Sequence, residues 1–226
     1  MCVALAFLSA FLFSPSAADV EVVPVIHASL ILKWNGLAIH VDPWSQGDYS
    51  GKPKADLILV TDVHADHLDL TQIEQVSKST TTIVAPLAVQ EKITDAEVLS
   101  NGETLELLGI GIEAVPMYNL ERGPQPGRVF HRKGRGNGYV LTFGDQRVYI
   151  SGDTECIPEM KELEDIDIAF VCMNLPYTMT AGEAAACVNA FKPAVVYPYH
   201  HRGTDLEGFK RGVTAHEVEV IVLDWY

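Results

Sequence analysis

The sequence predicts a mixed α/β protein, a class also written α+β, in which sheets pack face to face and helices lie outside them. Short apolar runs rich in Val and Ile recur along the chain at strand length. Helical patterns with capping residues enter only after Asp69, so the first part of the chain is mostly hairpin-like strands. That order differs from the regular alternation of a parallel βαβ array. With no repeat at a solenoid period, no low-complexity tract and no linker, residues 19–226 read as one domain.

Residues 1–18, MCVALAFLSAFLFSPSAA, carry no charge. The apolar stretch Val3 to Phe13 followed by Ser16, Ala17 and Ala18 has the order of a signal peptide ending before Asp19, which implies export to a periplasm or the exterior. The stretch lacks a basic residue near Met1 and is shorter than the about 20 residues a membrane span requires. A mis-assigned start or a buried N-terminal strand is the alternative, and then the protein is cytoplasmic. Strands are expected at Val22–Ile26, Ser29–Lys33, Leu37–Val41, Leu57–Thr61, Thr82–Ala85, Ile110–Pro116, Tyr139–Phe143, Arg147–Ile150, Ile166–Cys172, Val195–Tyr197 and Val218–Leu223. Helices are expected at Leu70–Val76 with Asp69 as cap, Pro158–Leu163, Ala181–Phe191 after Thr180, and Leu206–Gly212 after Asp205. Residues 119–137, rich in Gly and Pro without an apolar period, form a long irregular loop of the kind that usually carries function or moves.

At 226 residues and 48% hydrophobic content the chain can bury a sizeable core. Its 16 basic against 30 acidic residues argue against wrapping nucleic acid, which rests on neutralising phosphates. A small-molecule substrate is the expected partner. The cysteines Cys2, Cys156, Cys172 and Cys187 have no CxxC spacing. If the leader is removed, three remain and at least one cannot pair within the chain; Cys172 and Cys187, in apolar contexts, read as buried small hydrophobes.

Three apolar runs end in side chains suited to metals. Leu57–Thr61 leads into Asp62, His64, Asp66 and His67; Arg147–Ile150 leads into Asp153; Ala194–Pro198 leads into Tyr199, His200 and His201. Strand ends gathered at one sheet edge are where such proteins assemble sites. Histidine nitrogen with carboxylate oxygen suits zinc, manganese or iron, and the lack of a nearby cysteine argues against a closed structural zinc site. A carboxylate between two ions can bridge them, and the pair lowers the pKa of a shared water. Asp69, directly before a helical pattern, reads as its cap, and His40 and His216 read as structural.

DVHADH at Asp62–His67, SGDTE at Ser151–Glu155 and PYHH at Pro198–His201 together resemble the metallo-β-lactamase superfamily. VDPW at Val41–Trp44, GNGYVLTF at Gly136–Phe143 and PYTMT at Pro176–Thr180 resemble its branch of small hydrolases that includes ascorbate-6-phosphate lactonase-like proteins. The resemblance runs from about His27 to Tyr226, and it implies a four-layer αββα sandwich with two metals at the lip between the sheets. It implies His64 as a ligand of one ion, Asp66, His67 and His200 as ligands of the other, and Asp153 as the bridge. It also implies a substrate-facing or supporting role for His27, and Asp42 as the residue that orients a ligand histidine.

The sequence departs from that pattern twice. The family's HxHxDH begins with histidine where this chain has Asp62, which implies a shift towards oxygen-tolerant metals. The histidine expected after Val115 and Pro116 is missing; His131 is the replacement expected, with Asn119 the weaker candidate. The same loop holds Arg122, Arg128, Arg132, Lys133 and Arg135, and Arg132 and Lys133 are the residues expected to recruit an anionic substrate group. Gly134, Gly136 and Gly138 would let the loop approach a ligand or close over it. The function implied is a metal-dependent hydrolase acting through metal-held hydroxide on an ester, lactone, amide or phosphodiester bond, with Asp66 or His201 handling protons. The alternatives are a metal-binding protein with weakened or no activity and an iron-holding redox or sensing module.

Overall fold

The structure is a computed structural model that describes residues 19–226, so the leader at residues 1–18 lies outside it. One sheet runs in chain order through β1 (Glu21–Ile26), β2 (Ser29–Trp34), β3 (Leu37–Val41), β4 (Leu57–Leu59), β5 (Thr82–Ala85) and β6 (Glu97–Val98). The other holds β7 (Thr104–Leu107), β8 (Ile110–Met117), β9 (Gly136–Phe143), β10 (Gln146–Ile150), β11 (Ile168–Cys172), β12 (Val195–Tyr199) and β13 (Glu219–Val220) in order. Each sheet begins with antiparallel strands and turns parallel, from the β3–β4 pair onward in the first and from β10–β11 onward in the second. Parallel neighbours place their C-terminal ends together, so β10, β11 and β12 all run out into loops at one edge.

The helices are α1 (Leu70–Val76), α2 (Pro158–Lys161), α3 (Ala181–Phe191) and α4 (Leu206–Gly212). Alternation along β4 explains the layers. Leu57 and Leu59 belong to the main core shared with Leu30, Tyr139 and Ile150, whereas Ile58 and Val60 pack with Ile73 and Val76 of α1. A strand covered on both faces reads as an unbroken apolar run, and each of these fully buried side chains stabilises by roughly 1.5–3 kcal/mol. On the far side α3 and α4 pack together against the second sheet, with Ala184, Val188 and Phe191 of α3 entering the core. The αββα sandwich expected from the sequence is the fold observed.

The helix starts follow the capping logic. Asp69 Oδ1 accepts from the Gln72 amide at 3.1 Å, and Thr180 with Glu183 closes a full capping box on α3. The short β6 and the alternating β7 were not predicted, β4 stops at Leu59, and only Glu219 and Val220 of the last predicted strand pair. Cys187 departs from the reading as a small hydrophobe: it is disulfide-bonded to Cys156 with the Cα atoms 5.6 Å apart, while Cys172 is free and buried. The glycines at the start of β9 are not a flexible flap. A Cβ on Gly136 would meet the Thr61 carbonyl at 2.6 Å, and the Asn137 amide donates to that same carbonyl at 2.9 Å. The absence of a side chain is what lets the two sheets touch at the lip.

Candidate metal centre

The segment after β4 is held before it presents anything. Thr61 donates to Asp42 through its amide (2.8 Å) and its hydroxyl (2.6 Å), and the Tyr139 hydroxyl donates to the Val60 carbonyl at 2.8 Å. Asp42 is itself fully buried, and its second oxygen lies 2.7 Å from His67 Nδ1. With Nδ1 engaged there, Nε2 is the ring atom that points away, and it has no hydrogen-bond partner. Asp42 thus holds the His67 ring in place.

Around His67 Nε2 stand its neighbour Asp66 and donors from three other segments. Asp153 Oδ2 is 3.5 Å away and Asp66 Oδ2 3.8 Å; His200 Nε2 lies 3.4 Å from Asp66 Oδ2 and 3.5 Å from Asp153 Oδ1. His27 Nε2 completes the arc at 3.4 Å from Asp66 Oδ2, its Nδ1 hydrogen-bonded to the Tyr226 hydroxyl at 2.7 Å. His27 therefore stands among the candidate ligands, closer to the centre than a purely substrate-facing role needs. His27, Asp42 and His200 all adopt positive φ, a conformation unfavourable for these residues that turns the chain back at the ends of β1, β3 and β12.

These separations test whether a metal fits. They are long for hydrogen bonds, but donors arranged tetrahedrally about an ion with arms of about 2.1 Å stand about 3.4 Å apart. His67 Nε2, both ring nitrogens of His200 and Asp153 Oδ1 are buried without partners. Orphaned buried polar atoms of this kind are rare unless something else completes them. The donor set of two or three histidines and two carboxylates fits a borderline divalent ion. Charge is concentrated here: burial opposes ionisation of Asp153, yet His200 and His67 hold its pKa well below the usual range. Burial likewise would lower the His67 pKa, but Asp153 and Asp42 outweigh it and raise it well above its usual value.

The loop at 119–135 brings His131 to the centre, with Asn119 beside it. Asn119 Oδ1 accepts from the His131 amide and lies 2.7 Å from His131 Nδ1, leaving Nε2 to face Asp153 Oδ2 at 3.3 Å. Asn119 is thus the partner that aims His131. Glu155 anchors the loop, its carboxylate accepting the amides of Leu120 (2.9 Å), Glu121 (3.1 Å) and Arg122 (2.8 Å). Asp62 and His64 reach the centre from the other side: Asp62, His64 and His131 have donor atoms within 4.8 Å of one another. Asp62, however, is gripped by Arg135, with Nε on Oδ1 at 2.9 Å and Nη2 on Oδ2 at 2.5 Å.

A cavity of about 430 Å³ opens above this floor, lined by His27, His64, Asp66, His131, Asp153 and His200 on one side and by Trp44, Phe130 and Tyr177 on the other. Its cation is Arg202, a residue the motifs do not single out although it directly follows PYHH at a strand end. Lys133 instead pairs with Glu159 at 2.5 Å and lies over the Tyr118 ring, and neither it nor Arg132 lines the cavity. Arg122 is taken by Glu183 and Glu155. His201 lies beside rather than in the cavity wall, buried against the Tyr226 ring, its pKa lowered to about 4 by burial.

A sandwich whose parallel strand ends converge on histidines and aspartates defines the class: a metallo-hydrolase scaffold of the β-lactamase type. A beta-lactamase superfamily domain matches residues 22–200. A UPF0173 metal-dependent hydrolase of Methanopyrus kandleri is 31% identical over 222 residues, covering 88% of this chain and 94% of that protein. A crystal structure from Parabacteroides distasonis ATCC 8503, named for a metal-dependent hydrolase, is 44% identical with a TM-score of 0.85, covering 92% of this chain and 94% of that one. CmlA, a diiron β-hydroxylase from Streptomyces venezuelae, shares the fold alone, at 18% identity and a TM-score of 0.68 over 93% of this chain and 54% of its own. The chain belongs to the beta-lactamase superfamily and, within it, to the UPF0173 metal-dependent hydrolases.

Proposed function

We propose that the protein hydrolyses a small substrate bearing an anionic group, with His67, Asp153, His200 and Asp66 holding a divalent ion of zinc, manganese or iron. The observation that carries this reading is the set of unpartnered buried donors on the floor of an open cavity of about 430 Å³. An ion bound there supplies a Lewis acid that polarises the bond under attack and lowers the pKa of water. The rest falls to the chain itself. Asp42 and Asn119 fix the rings of His67 and His131 so that Nε2 faces inward. Trp44, Phe130 and Tyr177 form an apolar wall that sheds water from the substrate, and Arg202 at the rim provides the charge that would orient a carboxylate or phosphate.

Asp66, partly exposed on the floor, is ionised: burial opposes this, but the imidazoles of His200, His27 and His67 beside it outweigh it and hold its pKa below the usual carboxylate range. Ester, lactone, amide and phosphodiester bonds share the requirement for an attacking oxygen and a stabilised oxyanion, so the bond is found by assay. The test combines metal analysis of the purified protein with a screen of those four substrate types in anionic and neutral forms. Turnover that requires metal and a raised KM for anionic substrates alone in Arg202→Ala support the proposal; no turnover in any metal form overturns it. Iron in the protein together with oxygen consumption would favour the redox alternative instead. Export is proposed as well, supported by the charge-free leader and by the Cys156–Cys187 bond, since such pairs persist in oxidising compartments. A mature N-terminus at Asp19, read by mass spectrometry of secreted or periplasmic protein, is the expected result.

A further inference from the structure

Asp62, His64 and His131 form, by composition and spacing, a cluster able to hold a metal beside two that share His200, one with His67 and Asp153 and one with His27 and Asp66. The Asp62 cluster differs from these in one respect that decides its use. In the two that share His200, no Lys or Arg nitrogen pairs with Asp66 or Asp153 among the described residues, and His67 Nε2, both His200 ring nitrogens and Asp153 Oδ1 stand unpartnered. In the Asp62 cluster a permanent cation is already in place.

Arg135 grips both oxygens of the fully buried Asp62 in a fork, and its third nitrogen donates to the Phe130 carbonyl at 3.0 Å, so the guanidinium plane is fixed. His64 is drawn into the same arrangement: Nδ1 stands 3.1 Å from Asp62 Oδ2, and Nε2 faces Arg135 Nη2 at 3.4 Å. His131 leans away, its Nε2 at 3.9 Å from Asp62 Oδ2 but 3.3 Å from Asp153 Oδ2. A divalent ion on Asp62 would share its oxygen with a guanidinium that cannot lose its proton and would lie against that positive charge. Both oxygens of Asp62 are already engaged by the guanidinium, and each ring nitrogen of His64 faces that pair.

Resting on the metal reading above and narrowing it, we propose that the chain binds one divalent ion, at the donors gathered about the shared His200 (His67, Asp153 and Asp66), and that Arg135 closes the Asp62 cluster to a second. The two ions implied by family resemblance thus become one ion and one built-in guanidinium. Arg135 acts as a positioning residue that sets metal stoichiometry; it does not line the cavity.

The experiment is metal analysis of the full chain, stripped, reloaded with excess zinc or cobalt and freed of unbound ion. Wild type is expected to retain one equivalent, with the cobalt absorption band saturating at one. Arg135→Gln frees the Asp62 carboxylate, and the double variant Asp62→His with Arg135→Gln replaces the ion pair by a neutral ligand; both are expected to rise to two equivalents. Circular dichroism checks that each is folded, and the double variant, which leaves no unpaired buried charge, carries the test if Arg135→Gln does not fold. Two equivalents in wild type would overturn this inference and leave the hydrolase reading intact, whereas none would overturn the metal reading itself. Folded variants that both stay at one equivalent would remove Arg135 from the explanation.

Discussion

The turn from Thr61 to Asp69 and the loop from Asn119 to Arg135 both deliver side chains to one centre, and they are immobilised by opposite means. The turn is short and held at its ends: β4 is buried on both faces behind it, Asp42 takes two hydrogen bonds from Thr61, and Asp69 caps α1 ahead. The loop has no regular structure to lean on and is held from within, by the Glu155 carboxylate gathering three consecutive amides, by Asn119 on His131 and by Arg135 on Asp62. A strand end inherits its precision from the sheet. A long loop needs buried charge to stand in for one, so the placing of His131 depends on Glu155, Asn119 and Arg135.

The sharpest way to break that contrast is Glu155→Ala, which strips three backbone amides of a charged acceptor. Unfolding stability should fall by about 2–4 kcal/mol in urea titrations, with protease cutting appearing within residues 119–135. A fall under about 0.5 kcal/mol would show that the loop does not depend on its anchor. The turn has an acid-sensitive base instead. His40 of β3, paired in register with Ile58 of β4, has its pKa lowered from 6.5 to about 4 by burial. It is neutral when folded, so the unfolded chain binds the extra proton between those values. Stability present above pH 6.5 is then lost as the pH falls towards 4, by about 2–3 kcal/mol, and His40→Gln should flatten that slope.

Asp42→Asn reaches the centre through the turn alone. It leaves the size of the side chain unchanged and removes the charge that steadies His67, so metal affinity should drop about 10- to 100-fold with the fold retained, measured by competition with a chelating dye. The smallest effect is expected for Asp69→Ala, which removes one helix cap at about 1 kcal/mol, with metal content unchanged because β4 still fixes the turn.

The strands were legible because Val- and Ile-rich runs buried on two faces can be little else, and the helix starts because Asp69, Thr180 and Asp205 announce them. Strands β6 and β7 were not, since two paired residues or a half-exposed alternation leave almost no apolar signal. The candidate ligands at strand ends were legible by the same logic, and Arg202 could have been found by extending it one residue further. Two features were beyond that reach. The Cys156–Cys187 bond depends on where α3 packs, and the role of Arg135 depends on its meeting a carboxylate 73 residues away. Local pattern shows what a segment offers, not which distant charge will claim it.

The contact between Gly136 and the Thr61 carbonyl has a consequence for ion choice. Thr61 is rooted to the strand that leads to His67, and β9 neighbours the strand that leads to Asp153, so the gap at Gly136 gauges the distance between donors from opposite sheets. One added methyl would have to part the lip by some tenths of an ångström. That is about the margin by which the bond lengths of one divalent ion differ from those of the next. The calibre of the candidate metal seat is thus set by a residue that contributes no donor to it and has no side chain.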